Sequence, residues 1–177
     1  MLLIINIINL IHSTKKKLQL LFKKFTYGLF KLLYGKICAY EDISNLPDSK
    51  TLVSEIDNNF KYKIYFIKNA RLYTDTINDT AFIHNQKAIK GPSFQIRDTN
   101  FSSINNNIVF EKGTPRVQKK LKGKVLSLLS GGAGNYNYWH WLFDILPRIK
   151  IISNKIDIGT INYFLLPDNS KRFQKET

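Results

Sequence analysis

His140 and Asp144 stand four residues apart, a spacing that in a helix puts an imidazole and a carboxylate on one face within reach of each other. A carboxylate beside an imidazole orients the ring and raises its basicity, which is how a general base is commonly assembled. The same spacing also makes an ordinary contact on a solvated face, so the pair alone leaves both readings open. Its neighbours add to the argument. Trp139, His140 and Trp141 are consecutive, so their side chains leave a helix about 100° apart and cannot all enter one core. Exposing both indoles would leave a large apolar area in water, and this crowding predicts a pocket wall around the histidine in preference to open solvent.

The pair lies in "GGAGNYNYWHWLFDILPRIK", residues 131–150, where glycines lead into the helix. A glycine-rich turn at that place has to be tested against nucleotide-binding loops. No Gly-Lys-Ser/Thr occurs in the chain, which excludes a P-loop. Gly132 and Gly134 supply the first two glycines of a dinucleotide fingerprint, but Asn137 stands where the third is required. What survives is the physics of such a turn: glycines let the backbone bend tightly and approach a ligand, and the helix start offers free N–H groups. His12, His84 and His140 are dispersed and no Asp-x-Asp occurs, so neither a metal nor a cofactor is expected. His84 falls near the end of a strand pattern, where a polar residue needs no chemical explanation.

The elements that must position this block follow from periodicity. "KVLSLLS" (124–130) and "INYFLLP" (161–167) are apolar runs that fit buried strands, and residues 138–152 have the pattern of a helix interrupted at Pro147. Strand, glycine turn, helix, strand is a βαβ unit with parallel strands. Upstream, "YKIYFI", "ARLYTD", "TAFIHN" and "NNIVFE" alternate with period two and predict an antiparallel set between 62 and 111. The expected fold class is α/β, a β-rich N-terminal part leading into a parallel Rossmann-like sheet. "RFQKET" (172–177) reads as the first turn of a further helix, and an α/β sheet rarely stops there, so the expectation is an incomplete domain.

The 177 residues are 44% apolar, 13% aromatic and 23% charged, enough apolar matter for a core and too much for wholesale disorder. Cys38, the only cysteine, can form no internal disulfide and points to no oxidising compartment. The formal net charge of +14 admits nucleic acid, an anionic membrane surface or an anionic substrate as partners. Its distribution is uneven: Lys15, Lys16, Lys17, Lys23, Lys24, Lys31 and Lys36 all precede the first acidic residue, Glu41, and a second cluster spans 116–124. No arginine-rich recognition helix is present, and nucleic acid is not expected. Residues 1–11 are apolar but too short to span a bilayer, and their lysines follow the apolar run, the wrong order for a secretory signal. In the next stretch Leu18, Leu21, Phe22, Phe25, Leu29, Leu32 and Leu33 recur at helical spacing with lysines mostly opposite. Residues 1–40 thus form a basic amphipathic segment, and 13–36 either meet a membrane interface or pack on the chain's own domain or a partner.

The run Asn137-Tyr138-Trp139-His140-Trp141-Leu142-Phe143-Asp144-Ile145-Leu146-Pro147-Arg148 resembles the signature of glycosyltransferase family 61, whose bacterial members are often labelled capsular polysaccharide biosynthesis proteins. That family carries an Asn-Tyr-aromatic-His-Trp-Leu block ending in Leu-Pro-Arg after a glycine-rich turn. The end at 172–177 resembles the family's Phe-Gln-x-Glu-Thr helix start. The resemblance covers about 60–177, and Asn137 is taken as the family's asparagine over Asn135 because it keeps the spacing to His140. It implies that 41–177 is the acceptor-side, N-terminal domain of a two-domain, GT-B-like enzyme, lacking the half that supplies most of the donor site. It also implies inverting transfer from a nucleotide sugar to a hydroxyl of a glycan or lipid-linked glycan acceptor. His140 would be the base or acceptor-orienting group and Asp144 would hold it. Asn137 and Tyr138 would line the acceptor side, and Gly132 and Gly134 would let the backbone approach substrate. Trp141 would stack on a sugar or close the pocket floor. Arg148 would bind an anion or, as the residue pattern alone suggests, cap a helix C-terminus. The expected location is cytoplasmic, at the inner face of the membrane. The competing reading is a non-catalytic basic module that binds an anionic glycan or a membrane surface.

Overall fold

The computed structural model describes residues 2–57, 60–75, 78–96, 104–129, 137–166 and 170–177. Helix α1, Leu2–Tyr34, opens the chain and is about 50 Å long at 1.5 Å per residue. Gly35 ends it at φ +81°, a left-handed conformation in which a side chain would be strained.

Strands β1 (Ala39–Asp42), β4 (Arg71–Thr74), β5 (Asp79–His84), β6 (Lys87–Lys90) and β7 (Phe94–Gln95) form one mixed sheet, in the order β1-β6-β5-β4 with β7 also on β5. The β4/β5, β5/β6 and β5/β7 pairs are antiparallel, as the period-two pattern predicts, whereas β1 joins β6 in parallel. Between β5 and β6, Asn85 and Gln86 both take positive φ, the requirement of a tight primed hairpin turn. The alternation serves two cores. Ala81, Ile83 and Ala88 face a cluster with Ile37, Tyr73, Ile104 and Val109, while Phe82 and Ile89 face Ile43, Leu46, Tyr65 and Ile67. Strands β2 (Lys50–Asp57) and β3 (Phe60–Phe66) form a separate antiparallel hairpin.

One expected strand is not there. "NNIVFE" forms a turn and the short helix α2, Val109–Lys112. The cause is Asn107, which is buried. Its Nδ2 donates to Thr80 O (3.2 Å) and Phe94 O (3.0 Å), and its Oδ1 accepts from Val109 N (3.2 Å). Asp79 Oδ1 accepts from Ile108 N at 3.0 Å, so two side chains take the backbone groups that a strand would have offered to a neighbour.

The C-terminal part is built on β8 (Val125–Ser127) and β9 (Tyr163–Leu165), paired in parallel. Gly123, at φ +117°, leaves room for Asn162, whose Oδ1 accepts from Lys124 N at 2.7 Å as the pair begins. Between the strands run α3 (Tyr138–His140), a π-helical turn (Trp141–Ile145) and α4 (Leu146–Ser153). This is the expected strand–helix–strand unit. Its parallel sheet consists of this single pair among the described residues; an extended Rossmann-like sheet is not seen. The helix irregularity also lies earlier than expected. Pro147 sits in the first turn of α4, where a missing N–H is tolerated, and the π turn before it absorbs the mismatch: Leu146 N–H donates to Trp141 O across five residues. A third cluster, Leu128, Trp141 and Ile145 with Leu126, Leu142, Leu146, Ile149 and Phe173, holds the unit together. The last helix, α5 (Arg172–Glu176), places Phe173 in this cluster, in agreement with a helix start at "RFQKET".

Candidate functional site

The site begins at the N-cap of α3. Asn137 is extended (φ −105°, ψ 118°), and its Oδ1 accepts from Trp139 N at 2.9 Å, satisfying one of the orphan donors of a new helix. Its side chain is thus engaged in the fold as a helix cap. Gly132 and Gly134 lie outside the described residues.

One turn on, His140 Nδ1 meets Asp144 Oδ2 at 2.6 Å. A carboxylate on Nδ1 fixes the proton there and leaves Nε2 as the nitrogen with a lone pair. The two side chains are 47% and 44% exposed, so the pair is at the surface. Four residues beyond Asp144 comes Arg148, whose Nη1 donates to Leu129 O at 3.0 Å just past β8. Burial pushes its guanidinium below the ordinary arginine value, and the charge of Asp144 acts in the opposite direction. Arg148 is the next i, i+4 neighbour after Asp144 and lies in the first turn of α4, so it is no C-terminal cap. It ties the helix to the strand end, and its charge is felt by Asp144.

The two tryptophans divide as their 100° separation requires. Trp141 is 3% exposed and packs in the third core cluster, with its Nε1 donating to Thr177 Oγ1 at 2.7 Å and Phe173 edge-on at 6.4 Å. It has no open face on which a sugar could stack, which leaves it the floor beneath the helix. Trp139 is 66% exposed and stacks on the equally exposed Phe143, with ring centroids 5.7 Å apart and planes at 8°. Tyr138 is half exposed and edge-on to both Trp139 and Phe173. The expected enclosing wall is instead an open ridge: the Trp139–Phe143 row runs beside the His140–Asp144 row, one residue out of step.

Trp139 and Phe143 were not among the residues expected to touch substrate, although their i, i+4 spacing repeats that of the His–Asp pair and was legible. Thr177 and Phe173 could not have been assigned, because only the fold of α5 brings them to Trp141. Among the described residues no group of three His, Cys, Asp or Glu side chains converges on a possible metal position. No family model, curated protein or solved structure matches the chain.

Proposed function

We propose that this chain carries the acceptor-side part of an inverting glycosyltransferase resembling family 61, acting in surface or capsular polysaccharide synthesis at the cytoplasmic face of the membrane. The observation that carries the proposal is the His140–Asp144 contact at 2.6 Å, in a half-exposed pair beside an exposed aromatic ridge. A single displacement needs a base for the acceptor hydroxyl, and the pair is built for that task. Nε2 takes the hydroxyl proton as the oxygen bonds to the anomeric carbon of a nucleotide sugar. The bond from that carbon to the diphosphate breaks with its electron pair on the leaving group, and the proton remains on His140. Asp144 stabilises the imidazolium that results. The stacked Trp139 and Phe143 offer an apolar face to the acceptor's sugar ring, the role first expected of Trp141. The diphosphate and sugar of the donor are bound by the half that the family resemblance assigns to a second domain.

The test is transfer from a panel of nucleotide sugars to glycan acceptors by the product of the reading frame that contains this chain. His140→Ala should lower turnover by roughly 10²–10⁴-fold while the circular dichroism spectrum is unchanged. Transfer at the original rate would remove His140 as the base.

One observation favours a second reading, a basic module that binds anionic glycan without catalysis. Arg116, Lys119, Lys120, Lys122 and Lys124 are exposed on the segment leading into β8. In that case glycan binding persists in His140→Ala, falls steeply with salt, and no donor is consumed.

A further inference from the structure

Helix α1 meets the rest of the chain through one face and leaves another, larger one uncovered. Tyr27, Phe30 and Tyr34, on one side of its last two turns, are half-buried. Arg71 Nη1 donates to Tyr34 O at 3.0 Å, Gln118 N donates to the Tyr34 hydroxyl at 3.3 Å, and Lys31 Nζ donates to Glu111 O. The Leu18, Leu21, Phe22, Phe25, Leu29 and Leu32 stripe lies on the opposite side, and all six are exposed. The domain therefore does not cover it.

The charges select what could. Helix α1 contains no acidic residue, while Lys15 and Lys17 border the stripe and Lys16, Lys23, Lys24 and Lys31 fill the polar side. A second copy laid along this stripe would set lysine against lysine with no carboxylate to answer it. An anionic lipid surface takes both features at once, with acyl chains accepting the leucines and phenylalanines and headgroups the lysines. No helix of the described residues is long and apolar enough to cross a membrane, so the geometry of this contact is in the plane of the interface.

We infer that α1 is an interfacial helix that beds its Leu18–Leu32 stripe into an anionic lipid leaflet. The Tyr27/Phe30/Tyr34 side holds the folded domain on the aqueous side. The inference does not depend on the chemistry of His140.

It is tested by co-sedimentation of the full chain with vesicles of equal parts phosphatidylglycerol and phosphatidylcholine, against phosphatidylcholine alone. Binding to the anionic vesicles should be stronger by at least about tenfold and should weaken with salt. Leu21→Glu with Phe25→Glu, on the free stripe, should weaken that binding by at least about tenfold with the helical circular dichroism signal retained. Equal binding by variant and wild type overturns the inference, as does absence of wild-type binding at low salt. So does a wild-type dimer in sedimentation velocity that the same double substitution dissolves while vesicle binding stays, because the stripe then belongs to a second copy.

Discussion

His140 Nδ1 and Asp144 Oδ2 lie 2.6 Å apart where an α-helical turn passes into a π-helical one, and the carboxylate is within electrostatic reach of the Arg148 guanidinium. The wide turn lies directly before Pro147, which cannot supply an N–H to the preceding turn. Asp144 lies inside this wide turn, which sets the rotation of the helix there. Arg148, bonded to Leu129 O, fixes that rotation relative to β8.

Under the proposed mechanism Asp144 acts through His140 and is a positioning residue. In the wild type the ring should be the Nδ1–H tautomer, read from ¹⁵N shifts of the two imidazole nitrogens. Asp144→Ala should return it to the Nε2–H form that unrestrained imidazoles prefer. Asp144→Asn should lower transfer by about 10²-fold with little change in the acceptor's KM. An unchanged tautomer in Asp144→Ala would mean that the carboxylate does not direct the ring.

Asn107 should be among the most sensitive polar positions. It is buried, and its side chain answers two strand carbonyls and one helix N–H. Asn107→Ala leaves these groups without their partner and should cost about 2–3 kcal/mol in urea unfolding. Asn107→Asp keeps the acceptor for Val109 N but loses both donors, and should recover little.

Asp42 gives a pH dependence with a definite sign. The backbone N–H and hydroxyl of Ser44 donate to its carboxylate at 3.0 and 2.8 Å and hold its pKa below the ordinary aspartate value, with help from Lys90 and Lys63. The folded value being the lower one, the stabilisation is complete above the ordinary value and is lost as pH falls through the folded one. Wild type should therefore melt above Asp42→Asn at neutral pH, with the gap closing in acid. A gap constant with pH would show that the charge of Asp42 adds nothing.

The sequence was most legible where one period governed one face. The β5 segment alternates between two cores, and the period-two pattern found it and β4, whereas β6, which alternates likewise over four residues, was not among the expected strands. The pattern failed at 106–111, where Asn107 and Asp79 reach across the sheet for backbone groups, a long-range bond that no local period reports. The His140–Asp144 contact followed from spacing alone. Which tryptophan faces inward did not, because that depends on Phe173 and Thr177 closing over one side of the helix from a segment more than thirty residues away. Amphipathicity in α1 was plain, yet the face that binds the domain is the aromatic one, and the obvious apolar stripe is the one left open.

The division of labour between Trp139 and Trp141 can be read directly, because the chain contains 2 tryptophans and each can be isolated by changing the other to phenylalanine. In Trp141→Phe the remaining indole is Trp139, 66% exposed, which should emit at long wavelength and be quenched readily by acrylamide. In Trp139→Phe the remaining indole is Trp141, 3% exposed, which should emit at shorter wavelength and resist quenching. The energetic consequences should separate in the same way. Trp141→Ala opens a cavity beneath the helix and removes the indole N–H that Thr177 Oγ1 accepts, and should cost about 3–5 kcal/mol. Trp139→Ala loses its exposed ring contacts with Phe143 and Tyr138, about 1 kcal/mol, so a larger effect of that substitution should appear in ligand binding. If the aromatic ridge holds the acceptor, Trp139→Ala raises the acceptor's KM while thermal unfolding is nearly unchanged. If KM is unmoved and the fold intact, the ridge has no part in acceptor binding and the sugar must be held elsewhere.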